Sequence, residues 1–398
     1  MARDCGPTKV LTRRRGVRGE REHLRELRAS ACQIWLFEMS VNERFHKLKI
    51  AEVRRETPDA VSIRFEIPAA LKDAFAFKAG QHLTLRTEMD GEDLRRNYSV
   101  CVAPHENEIR IAVKQMPGGR FSSWANEALK SGAEMEVLPP LGRFVVPATD
   151  SAEPYYVALA GGSGITPVLS ILKTVLAEDP RAHVTLLYGN RDSASIMFLE
   201  ELAGLKNRYL GRLEVYHFLE NEAEEVELFN GRLDIAKCAE VFSSLVDANA
   251  ADAFFICGPG PMMDAVEEAL RAKGIAPEKI FIERFTTGSV SAEQLARDEV
   301  LQKKAAGLQF TVTLDGRRSK VSFNAEKGNI LESVQAAGLP APYACKGGVC
   351  STCRARVISG RVEMKKNYGL TDAEVAQGYV LTCQSVPTSD DVALTYDG

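Results

Sequence analysis

The chain has 398 residues, 45% of them hydrophobic and 26% charged, with a formal net charge of −4. That is long for one domain, so two or three are expected, with ample apolar material for their cores. The weak charge gives no reason to expect nucleic acid or a membrane surface as partner. No apolar run reaches the roughly 18–20 residues that span a bilayer.

Nine cysteines, four of them clustered near the C-terminus, do not resemble the dense framework of a secreted, disulfide-stapled chain. They point to metal-ligating thiolates in a reducing cytoplasm. The six histidines never fall at metal-ligand spacing, which disfavours a histidine-based metal site.

Residues 1–38 carry nine basic and five acidic residues and no sustained periodicity. The run Arg13-Arg14-Arg15 lacks the apolar segment that a twin-arginine signal needs, and Glu20, Glu22 and Glu26 argue against a transit peptide. The segment 1–42 is expected to be a disordered or mis-called extension, with Met39 the true start.

From 43 to 150 the pattern is β-rich: Lys47–Val53, Ala60–Ile67, His82–Thr87, Tyr98–Val102 and Ile109–Lys114 alternate and are separated by turn residues. This predicts an antiparallel β-barrel, with one helix over Ser122–Leu129. From 151 to 285 strands alternate with helices. The strands are Tyr155–Ala160, Val184–Tyr188, Arg212–Phe218, Ala253–Cys257 and Ile280–Glu283; the helices are Pro167–Ala177 and Pro261–Lys273. That is an α/β domain with a doubly wound parallel sheet. Residues 286–306 are polar with no apolar stripe and read as a linker. From 307 to 398 a hairpin around Asp315-Gly316, a helix over Asn329–Ala337 and a cysteine loop make a third, α+β domain.

The cysteine loop carries the strongest chemistry. Cys345-x4-Cys350-x2-Cys353 followed by Cys383 has the plant-type [2Fe–2S] ligand spacing. Lys346-Gly347-Gly348 allows the backbone to approach a cluster closely. A zinc ribbon would need two Cys-x2-Cys pairs, and a Rieske centre two histidines where none follows His217.

A cluster takes single electrons while a nicotinamide delivers a hydride, so a flavin is expected between them. In Arg96-Asn97-Tyr98-Ser99 the arginine can pair with a flavin phosphate, the tyrosine can stack on the ring and the serine can hydrogen-bond near N5. Gly118-Gly119-Arg120-Phe121-Ser122 is a glycine turn feeding a helix, suited to the flavin pyrophosphate. Gly161-Gly162-Ser163-Gly164-Ile165-Thr166-Pro167, between a strand and a helix, offers the same device to a coenzyme pyrophosphate, with Gly162, Gly164 and Thr166 as contacts. Arg191, aided by Ser193 and Ser195, ends the second strand where the adenine ribose would lie. A basic residue there favours NADPH, with NADH the alternative.

These motifs resemble the ferredoxin–NADP reductase superfamily with a C-terminal plant-type ferredoxin, over roughly nine-tenths of the chain. The order of domains is similar to the reductases of bacterial multicomponent oxygenases. Gly80–Arg86, Gly118–Glu127 and Tyr188–Arg191 are most similar to the reductase subunits of phenylacetyl-CoA epoxidases, which serve phenylacetate catabolism; steroid-hydroxylase reductases share the domain order. The resemblance implies FAD in the barrel, NADPH (or NADH) on the α/β domain, a β-grasp-like ferredoxin and a diiron oxygenase component that accepts the electrons. It places Cys257 and Gly258 beside the nicotinamide, and Glu283 and Phe285 at the flavin face. The implied reaction sites are Ser99, Cys257 and Glu283. Lys346, Arg354 and Arg356 beside the cluster would suit an acidic docking surface. A reductase of another oxygenase (steroid or aromatic-ring type) and a redox-sensing or iron–sulfur module without turnover remain as alternatives.

Overall fold

The computed structural model describes residues 45–285 and 292–397; the extension expected over 1–42 lies outside them. The first six strands are β1 (His46–Thr57), β2 (Ala60–Glu66), β3 (His82–Met89), β4 (Glu92–Ser99), β5 (Ile109–Lys114) and β6 (Glu134–Val137). They form an antiparallel sheet in the order β4-β3-β6-β1-β2-β5, and a bridge between Val100 and Ile111 closes it. Alternate residues such as Leu48, Ile50, Ile63, Phe65, Leu83, Leu85, Ile111 and Val113 face a common core, the period-two pattern of a barrel wall. Helix α1 (Arg120–Glu127) covers it with Phe121 and Ala125.

Two differences from the sequence reading follow from polarity. Strand β4 starts at Glu92, not Tyr98, because the charged segment pairs along the whole of β3, from His82↔Ser99 to Met89↔Glu92. Strand β6 leaves little trace in the sequence because only Met135 and Val137 of its four residues are buried. It nevertheless joins β1 to β3.

The second domain runs β7 (Tyr155–Gly161), α2 (Ile165–Glu178), β8 (His183–Asn190), α3 (Leu199–Arg208), β9 (Leu213–Leu219), α4 (Ile235–Ser244), β10 (Ala253–Cys257), α5 (Gly260–Ala272) and β11 (Ile280–Glu283). Its sheet is parallel, ordered β11-β10-β7-β8-β9, with apolar clusters on both faces. The strand order reverses at β7, and a crevice beyond the strand C-termini at such a point is where ligands bind. Helices α3 and α4 add to the two expected from the sequence. Helix α3 buries only Leu202 and Leu205, too narrow a stripe to register.

The segment 286–306 is not structureless throughout: α6 spans Ala292–Ala305. Strong helix formers fill it, Glu299 and Lys303 pair one turn apart, and Leu301 and Ala305 join the third domain's core. Two contact residues make no stripe, so the sequence conceals the helix.

The third domain comprises β12 (Gln309–Leu314), β13 (Arg317–Ser322), α7 (Ile330–Ala336), β14 (Arg354–Ser359), β15 (Val362–Met364), α8 (Asp372–Ala376), β16 (Tyr379–Leu381), β17 (Ser385–Pro387) and β18 (Ala393–Thr395). Its mixed sheet is ordered β13-β12-β18-β14-β16. Helix α7 lies on the same core as β12 and β18, which gives the β-grasp-like arrangement. The β12–β13 turn has positive φ at both Asp315 and Gly316, as a tight hairpin requires.

Candidate flavin, coenzyme and cluster sites

The β3–β4 register sets Ser99 opposite His82 and Tyr98 opposite Leu83. Ser99 is buried and its Oγ has no hydrogen-bond partner. A buried hydroxyl left unpaired is costly unless a ligand completes it, and this one fits a flavin edge. The Tyr98 ring lies 5.4 Å from Phe121. Arg96 is exposed, donating to the neighbouring Arg95 carbonyl at 2.7 Å, and so can take a phosphate.

Gly118 has φ +71°, and a Cβ on Gly119 would stand 2.4 Å from Ser122 Oγ. That oxygen accepts from Met116 N at 3.0 Å and donates to the Gly119 carbonyl at 3.1 Å. The turn is thereby pinned at the start of α1, where first-turn N–H groups can meet an anion. Arg120 departs from expectation. Its guanidinium holds Met89 O, Asp90 and Glu92 of the β3–β4 hairpin, so the backbone, not this side chain, offers the anion site.

The two glycine loops of the second domain require each other. A Cβ on Gly164 would lie 2.0 Å from the Cys257 carbonyl oxygen, and one on Gly258 would lie 2.9 Å from Gly161 N. Gly162 has φ +51° and faces Lys114 Nζ of the barrel, 3.8 Å from where its Cβ would be. Thr166 Oγ1 donates to Ser163 O and Tyr188 Oη to Gly162 O, each at 3.0 Å, fixing the loop. Arg191 is not idle: its Nη2 donates to Asp59 Oδ2 of the barrel at 2.8 Å. Ser193 donates to Glu222 from both N and Oγ, at 3.1 and 3.0 Å. Ser195 is buried and bonded to Asp192, so it does not assist Arg191.

Cys257 and Glu283 are register neighbours at the ends of β10 and β11. Burial pushes the Cys257 thiol well up, and the Glu283 carboxyl up to about 8, where the Cys350 thiolate adds to the effect. His82, which sequence reasoning passed over, stands with Nδ1 3.7 Å from Glu283 Oε1. Thr84 donates to Asn97 Oδ1 at 3.0 Å, which turns the Asn97 amide nitrogen toward His82 Nε2 at 3.3 Å. The proton of the neutral ring is thereby assigned to Nδ1, facing Glu283. Burial holds the ring's pKa down at about 4. A Cβ at Gly142, where φ is +127°, would sit 3.0 Å from Nδ1.

A cavity of about 500 Å³ opens here, lined by His82, Phe144, Glu283, Cys350 and Tyr368 among others. All three domains contribute to its wall. Phe285, expected at the flavin face, lies past the end of β11 and is exposed, outside that lining.

The four cysteines of the third domain come together as two pairs. The neighbouring Cys345 thiol lowers the pKa of Cys350, and Cys353 lowers that of Cys383. Gly347 N donates to Cys345 Sγ at 3.3 Å and Cys345 N to Cys350 Sγ at 3.4 Å. Lys346, Gly348 and Ser351 all have positive φ, turning the loop tightly. Cys383 sits in the 3₁₀ turn Thr382–Gln384, just past β16. The paired thiols, with N–H groups aimed at the sulfurs of Cys345 and Cys350, and the ligand spacing suit a two-iron cluster.

The cluster domain is docked on the barrel. Arg143 holds the Glu374 carboxylate with both Nη groups, Arg354 Nη1 joins it at 2.9 Å, and Arg95 Nη1 donates to Tyr343 O at 2.8 Å. Lys346 is paired with Glu332 at 2.7 Å. Two of the three cations assigned to an acidic partner are therefore engaged within the chain, leaving Arg356 exposed.

Family models match in the same order: an oxidoreductase FAD-binding domain over 47–146, an oxidoreductase NAD-binding domain over 158–268 and a 2Fe-2S iron-sulfur cluster binding domain over 312–388. Fold and site together define an NAD(P)H-dependent oxidoreductase that uses FAD and a [2Fe–2S] cluster. Over 353 residues the chain is 42% identical to one of the subunits of 1,2-phenylacetyl-CoA epoxidase from Escherichia coli (strain K12), covering 89% of this chain and 98% of that one. It is 33% identical, covering 88% and 96%, to the ferredoxin reductase component of 3-ketosteroid-9-alpha-monooxygenase from Rhodococcus rhodochrous. Phthalate dioxygenase reductase shares the fold, with TM-score 0.55, 24% identity and coverage of 88% and 98%. The chain belongs to the family of flavin and iron–sulfur reductase components of multicomponent oxygenases. Among the described residues no helix is long and apolar enough to cross a membrane.

Proposed function

We propose that this chain is the reductase of an oxygenase that epoxidises an aromatic acyl-CoA, in the manner of phenylacetyl-CoA epoxidase, in the cytoplasm. The observation that carries the reading is the 42% identity running through all three modules and 98% of that relative. FAD and the cluster, when bound, supply the conversion of a two-electron hydride into single electrons for the oxygenase component.

The chain's own residues have assignable tasks. Ser99 Oγ, buried without a partner, hydrogen-bonds the flavin edge. Tyr98, backed by the buried Phe121, walls the ring, while Arg96 and the N-terminus of α1 hold the phosphates. The Gly161–Gly164 loop and α2 cradle the coenzyme pyrophosphate. Cys257 and Glu283 close the hydride-transfer site, and Glu283, kept protonated by burial, holds a proton beside His82. Cys345, Cys350, Cys353 and Cys383 ligate the cluster.

The test is reconstitution. The purified holoprotein, with NADH or NADPH and the oxygenase component of a phenylacetyl-CoA epoxidase, should support epoxide formation from phenylacetyl-CoA. Support for a ketosteroid oxygenase alone would overturn the acyl-CoA assignment. Failure to reduce any dye would overturn the reductase reading itself.

A further inference from the structure

Resting on the reductase reading, we infer that Asp59, a barrel residue, tunes the choice of coenzyme: by holding Arg191 it competes with a ribose 2′-phosphate and so widens acceptance of NADH. Asp59 lies in the turn between β1 and β2, yet its carboxylate reaches the other domain. Oδ2 accepts from Arg191 Nη2 at 2.8 Å and stands 3.9 Å from Lys114 Nζ. Thr57 Oγ1 donates to Oδ1 at 2.8 Å, and Gln115 N donates to the Asp59 carbonyl at 2.7 Å. The carboxylate is thus fixed on the barrel and spans two cations beside the glycine loop.

Arg191 directly follows β8, the second strand of the sheet, whose end meets the adenosine ribose in dinucleotide-binding folds. An arginine there attracts a 2′-phosphate in full only if its guanidinium is available. Here one face is bound to a carboxylate. A second carboxylate, Glu222, is bound to Ser193 two residues on, and the loops are tied by Asn221 N donating to Arg191 O at 2.8 Å. A dianionic phosphate entering this corner meets Asp59 and Glu222 as like charges. A ribose hydroxyl meets them instead as hydrogen-bond acceptors. The preference for NADPH expected from Arg191 alone is therefore weakened by a residue 132 positions away.

Lys114 is the counterpart on the common part of the coenzyme. Its ammonium faces Gly162, where the pyrophosphate of either coenzyme would lie. Neutralising Asp59 strengthens that contact for both coenzymes alike, so the ratio between them isolates Arg191.

The experiment compares the full-length holoprotein with Asp59→Asn, Glu222→Gln and Asp59→Asn/Arg191→Ala. Steady-state dye reduction gives kcat/KM for NADPH and NADH, and calorimetry gives the affinity for adenosine 2′,5′-bisphosphate against 5′-AMP. Flavin absorbance and thermal melting confirm folding, and the amide introduced by Asp59→Asn keeps an oxygen to accept from Thr57. The NADPH/NADH ratio should rise about 2–5-fold in Asp59→Asn and less in Glu222→Gln, with 2′,5′-bisphosphate affinity rising in step. Adding Arg191→Ala should return both to the starting value or below it. An unchanged ratio in folded, active Asp59→Asn, or a rise that survives Arg191→Ala, overturns the inference while leaving the reductase reading intact. Absence of dye reduction with either coenzyme overturns that reading instead.

Discussion

Replacing Arg143 by alanine should slow reduction of the cluster without touching reduction of the flavin. Arg143 belongs to the barrel and grips Glu374 of the cluster domain with both Nη groups, beside Arg354. The Glu374 side chain is 15% exposed and that of Arg143 is 49% exposed. A charge-assisted pair is worth ~1.5–3 kcal/mol when sheltered, and exposed pairs ~0.2–1. Discounting for the half-exposed guanidinium leaves about 1–2 kcal/mol of docking, a factor of about 5–30. Anaerobic rapid mixing with NAD(P)H, following flavin and cluster bands separately, should show the second phase slowed by that factor. Arg143→Lys keeps the charge but loses the fork and should fall between. The Arg143 guanidinium holds the Glu374 carboxyl well below its ordinary value of 4.5. Its contribution is therefore complete above 4.5 and is lost only as pH falls toward the depressed folded value. Docking should thus persist into mild acid. Cluster reduction in Arg143→Ala that matches wild type at every salt concentration would refute the clamp.

Ser99→Ala should lower the hydride-transfer rate ~10²-fold while leaving the apoprotein's melting temperature unchanged, since Oγ has no protein partner; stopped-flow flavin reduction and calorimetry check the two halves. Cys383→Ser should abolish the cluster's visible spectrum and electron delivery to an oxygenase yet preserve dye reduction by the flavin domain. His82→Gln addresses pH. The buried ring titrates at about 4 rather than 6.5, so the folded state resists protonation, and stability present above 6.5 is lost as pH falls toward the folded value. The full shift corresponds to about 3 kcal/mol. The dependence of melting temperature on pH across this window should flatten in His82→Gln, and an unchanged slope would remove His82 from the pH dependence.

The four cysteines, the Arg96–Ser99 strand and the glycine turns are legible in the sequence because each is a local device. Ligand spacing, strand alternation and a glycine before a helix act over a few residues, and the chain reports them directly. Domain order is legible for the same reason, from period-two runs giving way to strand–helix alternation. Strand β6 and helices α3 and α6 are not, because each buries only two or three residues and leaves too faint a stripe. What Arg191 and Arg120 do depends on the folded molecule. Arg191 reads as a phosphate ligand until Asp59 is seen 2.8 Å away, and Arg120 until the β3–β4 hairpin claims it. Lys114 has no motif at all, and the run Gly80–Arg86 that holds His82 gives it no role; both matter because barrel strands carry them to the edge of another domain. Sequence by itself determined which groups are present and how each short segment bends. Tertiary structure decided which charges are already paired, because electrostatic partners are chosen by distance in space and not along the chain.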